Sequence, residues 1–268
     1  MKTIKEFVKK EVVLVVAMAL AVVSMFIITP DKEYVEYVDF RTLVDSMLNI
    51  PLLFWAHQET GDRKYYDAAV GHYRTTAKYL IREDGSSFHH YQFDPVTKEP
   101  VCGKTLQGFS DDSCWTRGHS WLVYGYPVAY KYTEDKEIID IHKAVSYYFM
   151  DNLPSDFIPY WDFAFNNPSF EPRDSSAAAI AACGLLEMCK FLPDTCEQKK
   201  FYENAAHRMV DALIDKCAND REDADGLILH ITGSKPHNMN IDGIATYGDY
   251  FYLEALVRLI TPDADMLL

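Results

Sequence analysis

The stretch Glu59-Thr60-Gly61-Asp62-Arg63-Lys64-Tyr65 joins two segments in which apolar residues recur at three- and four-residue spacing. A similar stretch, Tyr132-Thr133-Glu134-Asp135-Lys136-Glu137-Ile138, joins two more such segments 73 residues later, and residues 191–202 form a third connection. This spacing is typical of amphipathic helices, so each pair of segments with its connection is predicted to form a helical hairpin. The predicted helices cover residues 42–59, 63–82, 115–132, 136–151, 174–191, 197–218 and 245–260.

Such hairpins predict an all-α fold built by stacking, because a single hairpin cannot bury its apolar face. Hairpins arranged in a ring form an α/α toroid, while a helical bundle and an open solenoid are the alternatives. In a ring, the ends of the inner helices and the long loops converge on a central cavity. Residues 86–93 and 159–163 combine polar and aromatic side chains, which indicates a pocket wall rather than a solvent loop.

The composition excludes some classes of function. A formal net charge of −14 argues against nucleic-acid binding, which needs a basic surface. Aromatic residues make up 14% of the chain, which suits both a large core and stacking on sugar rings. The six cysteines form no C-x-x-C pair, so we expect free thiols rather than a disulfide framework.

The N-terminal segment 1–30 is a separate feature of the sequence. Residues 12–29 carry no charge, follow a lysine-rich start and end at Pro30. This pattern predicts either a signal anchor or membrane span, or a remnant helix of the helical domain 31–268. The chain is accordingly expected to be either cytoplasmic or membrane-anchored or exported, and its oligomeric state is not predicted.

The richest polar stretch is Gln107-Gly108-Phe109-Ser110-Asp111-Asp112-Ser113-Cys114-Trp115-Thr116-Arg117-Gly118-His119-Ser120-Trp121. Asp112 or Ser113 is predicted to cap the helix that follows. Arg117 and Trp121 lie four residues apart on one helix face, a pairing suited to a sugar carboxylate and its ring. The alternative is a structural salt bridge from Arg117 to Asp111 or Asp112.

Asp45 and Asn49 lie four residues apart within a strongly apolar predicted helix. A buried carboxyl group needs a reason, since burying an unpaired charge is costly, and an apolar setting favours the protonated form that donates protons. Asp45 is therefore either a catalytic acid or a structural carboxylate.

Two further polar stretches are less specific. Residues 171–180 place charged residues before an alanine-rich helix and are predicted to be mainly structural, whereas 230–237, with Ser234 and Lys235, form a loop able to reach an anionic group. The chain has no glycine-rich phosphate loop, nucleophile elbow or H-E-x-x-H motif, so neither cofactor nor metal is predicted.

Taken together, these stretches resemble glycoside hydrolase family 88, the unsaturated glucuronyl hydrolases, from about residue 40 to the C-terminus. The resemblance rests on the order and spacing of V-D-S-M-L-N-I-P-L-L-F-W-A (44–56), E-T-G-D (59–62), F-H-H-Y-Q-F-D-P-V-T-K-E (88–99), Q-G-F-S-D-D-S-C-W-T-R-G-H-S-W (107–121), L-P-S-D-F-I-P-Y-W-D-F (153–163), P-R-D-S-S-A-A-A-I-A-A (172–182) and Y-G-D-Y-F-Y-L-E-A-L (247–256).

The resemblance implies an (α/α)6 six-hairpin toroid that hydrates the C4=C5 enol ether of unsaturated uronic acids in oligosaccharides released by lyases. It implies Asp45 as the acid/base. The implied or candidate substrate-binding residues are His89, Gln107, Arg117, Trp121, Trp115, Ser234 and Lys235.

The chain departs from the family pattern in two ways. Family members carry further N-terminal helices, so we expect a barrel that is incomplete at its N-terminus. His119 and Ser120 also replace a commoner Gln-Ala pair. The alternatives to the glucuronyl activity are an unsaturated rhamnogalacturonyl hydrolase and an inactive, membrane-tethered fragment that binds sugars.

Overall fold

The computed structural model describes residues 40–166, 169–220 and 225–262. The predicted membrane or anchor segment 12–29 lies outside these ranges. Among the described residues, no helix is both long and apolar enough to cross a bilayer. All six cysteines are free thiols.

Seven α-helices make up most of the described chain, in agreement with the all-α prediction. Six of the seven segments predicted from apolar spacing match these helices to within two residues at each end. The helices are α1 (Ile50–Thr60), α2 (Arg63–Leu80), α3 (Thr116–Thr133), α4 (Glu137–Asp151), α5 (Ser175–Cys189), α6 (Glu197–Lys216) and α7 (Thr246–Ile260).

The prediction of one continuous helix over 42–59 is wrong in its first half. That half consists of a short strand, β1 (Arg41–Leu43), and a 3-10 helix (Val44–Leu48) that precedes α1. The break is explained by Pro51, which lies in the first turn of α1. Proline has no N–H to donate to the preceding turn, and its ring clashes with the carbonyl four residues earlier. Asp45 therefore lies in a tight turn rather than inside a helix.

A small antiparallel sheet, which the apolar spacing did not indicate, fixes the position of this turn. Strand β2 (His90–Phe93) lies between β1 and β3 (Pro100–Lys104) and pairs with both. Leu43 is opposite His90 in the register, and the Val44 N–H donates to the His89 carbonyl at 3.0 Å. The sheet thus brings the 3-10 helix beside the segment that carries His89.

The turn at residues 59–65 forms a helical hairpin as predicted. Gly61 ends α1 in the left-handed region with φ of 73°, and its N–H donates to the His57 carbonyl at 2.8 Å. The Asp62 carboxylate accepts the Lys64 N–H and caps α2. Glu134, with φ of 52°, ends α3 in the same way before α4 begins.

The helices alternate between an inner and an outer layer. Inner helices α3 and α5 are buried on nearly all sides, whereas α2 and α6 bury one face only. Helix α5 packs against α3, α6 and α7, and α3 packs against α4. Three hairpins and α7 therefore follow one another, with their apolar faces toward a shared core.

Gly184 allows the closest approach between α3 and α5. A Cβ atom at Gly184 would lie within 2.4–2.7 Å of backbone atoms of Val123 and Tyr124. We expect Gly184→Ala to lower the free energy of unfolding by about 1–3 kcal/mol, because backbone cannot yield as a flexible side chain can. Chemical denaturation measures this change.

Gly71→Ala is the matched control, because Gly71 lies in α2 with open space around it. Alanine there should leave the stability unchanged or raise it by up to about 1 kcal/mol. Equal effects at the two positions would contradict the close packing.

His119 is a histidine that lies fully buried in the core. His119 Nε2 lies 2.8 Å from the Val145 carbonyl, Nδ1 lies 2.9 Å from Ser87 Oγ, and burial lowers the pKa of His119 to about 4. The ordinary pKa of histidine is about 6.5. Between these two pH values the unfolded chain binds a proton that the folded chain does not, so stability decreases as the pH falls.

We therefore expect acidification from pH 7 to pH 5 to destabilise the protein by roughly 2 kcal/mol through His119 alone. Urea denaturation at pH 7 and pH 5 measures the loss of unfolding free energy on acidification. This loss should be smaller by roughly 2 kcal/mol in His119→Gln than in the wild type. His207→Gln, at an exposed position of α6, should keep the full pH dependence. An unchanged pH dependence in His119→Gln would contradict the assignment.

Candidate active site

The predicted site residues meet where the N-terminal ends of α3, α5 and α7 come together with the 3-10 helix. Arg117 lies in the first turn of α3, Asp174 immediately precedes α5, and Tyr247 lies in the first turn of α7. The guanidinium carbon of Arg117 lies 5.2 Å from the Tyr247 ring centroid. The loops before and between these helices supply the remaining groups.

Asp45 is half-buried and presents two different carboxylate oxygens. Its side chain is 41% exposed, yet Oδ2 is buried and has no hydrogen-bond partner among the described residues. His89 Nε2 lies 3.6 Å from this Oδ2. The expectation that Asp45 is buried in an apolar helix is therefore wrong, because the 3-10 turn directs part of the side chain outward. An acid that is accessible yet beside a histidine is suited to proton transfer.

His89 is held firmly by its neighbours. Its side chain is only 3% exposed, and its ring centroid lies 4.6 Å from that of Trp115. The N–H groups of Leu106 and Gln107 approach its Nδ1 at 3.2 and 3.3 Å. The loop after β3 and the start of α3 thus position His89 against Asp45.

Gln107 lies in a loop that two carboxylates organise. Asp111 accepts the Thr105 N–H at 2.9 Å and the Lys104 ammonium at 2.7 Å. The buried Asp162 accepts the Phe109 N–H and the Ser113 hydroxyl, both at 2.8 Å, and burial raises the pKa of Asp162. These bonds fix the backbone on both sides of Gln107.

The predicted cap by Asp112 or Ser113 is wrong. Trp115 is the N-cap residue of α3 and makes no side-chain cap. The Ser113 hydroxyl is instead engaged with Asp162 and Ser110.

Arg117 has a different partner from those that the sequence indicated. Its Nη1 bonds to the Asp174 carboxylate and donates to the Thr232 carbonyl at 2.5 Å, and its Nη2 donates to the Gly233 carbonyl. The predicted alternative, a salt bridge to Asp111 or Asp112, is wrong, since Asp111 pairs with Lys104. In this structure Arg117 ties α3 to the segment before α5 and to the loop that contains Gly233.

The two tryptophans of the stretch 107–121 have different surroundings. Trp115 is 3% exposed and lies beneath both His89 and Arg117, whose guanidinium carbon is 4.8 Å from the indole. In this position Trp115 is better suited to supporting His89 and Arg117 than to stacking directly on a sugar. Trp121 is partly buried, contacts Phe251 at a centroid distance of 5.5 Å, and has an indole N–H without a partner among the described residues.

Ser234 and Lys235 lie in a loop that reaches the same site. Gln107 Nε2 lies 3.3 Å from the Gly233 carbonyl, which also accepts from Arg117. The Ser234 hydroxyl is buried and lies 2.7 Å from His237 Nδ1. The Lys235 ammonium lies 2.8 Å from Glu171 Oε2 and remains partly exposed.

Three carboxylates contribute more to the site than sequence reasoning assigned them. Asp174 holds Arg117, Glu171 holds Lys235, and Asp162 holds the loop around Gln107. Each partner is distant in sequence, so no local spacing could reveal these pairs. Within the described part of the chain, no cluster of three His, Cys, Asp or Glu side chains is arranged to hold a metal ion.

The sequence matches the model of Glycosyl Hydrolase Family 88 over residues 36–258. The unsaturated chondroitin disaccharide hydrolase of Streptococcus pneumoniae (strain ATCC BAA-255 / R6) is 48% identical over 220 residues, which cover 82% of this chain and 56% of that protein. The unsaturated glucuronyl hydrolase of Bacillus sp. (strain GL1) is 38% identical, covering 82% of this chain and 58% of that protein.

Solved structures show the same likeness. The crystal structure of unsaturated glucuronyl hydrolase from Streptococcus agalactiae superposes with a TM-score of 0.81 at 42% identity, covering 84% of this chain and 57% of that chain. A variant of that enzyme in complex with dGlcA-GalNAc6S superposes with a TM-score of 0.77 at 41% identity, covering 83% of this chain and 59% of that one.

The predicted α/α-toroid fold class is thereby confirmed, while the chain spans about half the length of the curated relatives that it matches. The match over residues 36–258 covers most of the sequence. The chain therefore belongs to glycoside hydrolase family 88.

Proposed function

We propose that this chain releases unsaturated uronic acid from oligosaccharides made by polysaccharide lyases, with Asp45 as the acid/base. The observation that carries the proposal is the half-exposed carboxylate of Asp45 beside His89, at the helix ends where the predicted site residues meet. The family membership supports the class of substrate. We take residues 31–268 as the domain that carries this activity.

The reaction begins with protonation of the enol ether. Asp45, in its acid form, transfers its proton to C4 of the unsaturated uronic acid, and positive charge develops at C5 and the ring oxygen. A water molecule then forms a bond to C5 and gives a proton back to the Asp45 carboxylate. One water is consumed, and Asp45 returns to its starting state.

The hydrated sugar then opens. The product of hydration is a hemiketal at C5, which breaks its bond to the ring oxygen and becomes a ketone. The ring oxygen becomes a hydroxyl on C1, and this hemiacetal expels the next sugar to leave an aldehyde. The chemistry differs from that of most glycosidases, which use two carboxylates at the glycosidic bond.

Substrate positioning is assigned to the groups around Asp45. Hydrogen bonds to a uronate disaccharide are assigned to Gln107 and Ser234. An apolar ring face is assigned to Trp121, and positive charge to Lys235. Arg117, whose charge is paired with Asp174, holds the Gly233 carbonyl in place. The buried Trp115 packs against Arg117 and His89 and supports both.

We propose glycosaminoglycan fragments as the substrates, and unsaturated chondroitin disaccharides first among them. The S. pneumoniae relative, at 48% identity, carries the name of a chondroitin disaccharide hydrolase. The test is a panel of unsaturated chondroitin, hyaluronan and heparin disaccharides beside unsaturated rhamnogalacturonan fragments, with kcat/KM measured for each. Turnover of the rhamnogalacturonan fragments alone would favour the alternative hydrolase.

Attachment to a membrane through residues 12–29 is a separate proposal, supported by the absence of charge over these 18 residues. Partition of the full chain into a detergent phase, lost on deletion of residues 1–30, is the expected result. Equal partition of the two forms would contradict it.

A further inference from the structure

The ring of His89 has hydrogen-bond donors on one side and an unpartnered carboxylate oxygen on the other. From this asymmetry we infer that the loop after β3 fixes the tautomer of His89, so that Asp45 carries its catalytic proton on Oδ1. His89 is then a positioning residue that acts through Asp45. The role in catalysis rests on the proposed function, whereas the tautomer does not.

Three donors converge on Nδ1 of His89. The Leu106 N–H lies at 3.2 Å and the Gln107 N–H at 3.3 Å. The Thr105 hydroxyl oxygen lies at 3.5 Å and accepts the Gly108 N–H at 2.8 Å, so its own proton is free to point at the ring. Backbone N–H groups can only donate, so Nδ1 must accept and carries no proton.

The proton of the neutral ring therefore resides on Nε2, which faces Asp45. Nε2 lies 3.6 Å from Oδ2 of Asp45, slightly longer than a hydrogen bond. Oδ2 is buried and has no other partner among the described residues. The His89 N–H is thus the donor available to this oxygen, and a shift of a few tenths of an ångström completes the bond.

The two oxygens of Asp45 consequently have different roles. A protonated Oδ2 would point its hydrogen at the N–H of His89, so the proton is excluded from this oxygen. Because Oδ2 is buried while the side chain is 41% exposed, the accessible oxygen is Oδ1. A proton on Oδ1 is accessible from outside the protein, as a proton donor to C4 requires.

The packing of the ring keeps this arrangement in place. Trp115 lies against His89 at a centroid distance of 4.6 Å, and the His89 carbonyl accepts the Val44 N–H at 3.0 Å. The second contact joins the backbone of His89 to the residue next to Asp45. The same strand end thus sets both the distance and the direction of the Nε2–H group.

Long-range ¹H–¹⁵N correlation spectra of the full chain test the tautomer directly. The chain has nine histidines, so the signals lost in His89→Gln assign the ring of His89. We expect an unprotonated, pyridine-like shift for Nδ1 and a protonated, pyrrole-like shift for Nε2. A protonated Nδ1, or averaged shifts for the two nitrogens, would overturn the inference whether or not the chain turns over any sugar.

Rescue by a conservative variant tests the positioning role. Glutamine at position 89 can place an amide N–H near the location of Nε2, whereas leucine places no donor there. We expect His89→Leu to lower kcat by about 10²-fold with KM within a few-fold, and His89→Gln to recover at least about 10-fold of that loss. Equal kcat values for the two variants would contradict a role as donor to Asp45.

The two tests separate this inference from the proposed function. If the wild-type chain hydrates no unsaturated disaccharide, the proposed function fails, and the spectra still decide the tautomer. If the wild type is active and the spectra show a protonated Nδ1, the proposed function stands and this inference fails.

Discussion

Asp45→Asn is expected to lower kcat on unsaturated disaccharides by on the order of 10³-fold while the fold is retained. Asparagine has the size and shape of aspartate, but its amide carries no proton that it can transfer to C4. Asp45 is half-exposed, and its buried Oδ2 has no hydrogen-bond partner among the described residues, so the free energy of unfolding should change by less than about 1 kcal/mol. Initial rates and chemical denaturation measure the two effects.

Asp112→Asn is the matched control for this substitution. Asp112 is an exposed acid in the loop that leads to α3. Its replacement by asparagine changes the net charge by the same amount as Asp45→Asn. Its kcat should stay within about twofold of the wild type, since surface substitutions away from the site have small effects. Activity retained in Asp45→Asn would remove Asp45 from the proton transfer.

Asp174→Ala is expected to produce the largest loss of stability that we predict, about 3–5 kcal/mol. The variant leaves the buried guanidinium of Arg117 without its carboxylate partner, and it leaves the Ser176 hydroxyl without the acceptor that lies 2.5 Å away. Removing one member of a buried ion pair is costly because the remaining charge stays desolvated. Urea denaturation at neutral pH measures the change.

Asp67→Ala provides the comparison with an exposed ion pair. Asp67 pairs with Arg63 at 3.2 Å on the surface of α2, where both side chains are well exposed. Its removal should cost less than about 1 kcal/mol. If Asp174→Ala costs no more than Asp67→Ala, Arg117 has another sufficient partner and the assigned pairing is wrong.

Local periodicity was sufficient to predict most of the helices. In α2, α4 and α6 the buried residues recur every three or four positions, which is the periodicity of a single helix with one buried face. The prediction failed at residues 42–49, where the apolar spacing continues but Pro51 interrupts the hydrogen bonds of the backbone. The strands of the small sheet are short, and β1 pairs with a strand about 50 residues away in the sequence.

The hydrogen-bond partners of the candidate site residues could not be predicted from the sequence. Sequence proximity suggested Asp111 or Asp112 as the partner of Arg117, but the partner is Asp174, 57 residues away. Likewise, His89 meets Asp45 only because β1 and β2 align their strand ends. The family resemblance selected Asp45, His89 and Gln107, whereas their hydrogen bonds depend on tertiary contacts that a single sequence does not encode in any local pattern.

Hydration that depends on Asp45 is tested by the ultraviolet absorbance of unsaturated chondroitin disaccharide incubated with the purified, folded chain. The conjugated C4=C5 double bond absorbs, and hydration removes it. We expect a loss of absorbance with the wild type and with Asp112→Asn, and none above background with Asp45→Asn. Constant absorbance with the folded wild type, or an equal loss with Asp45→Asn, would contradict this expectation.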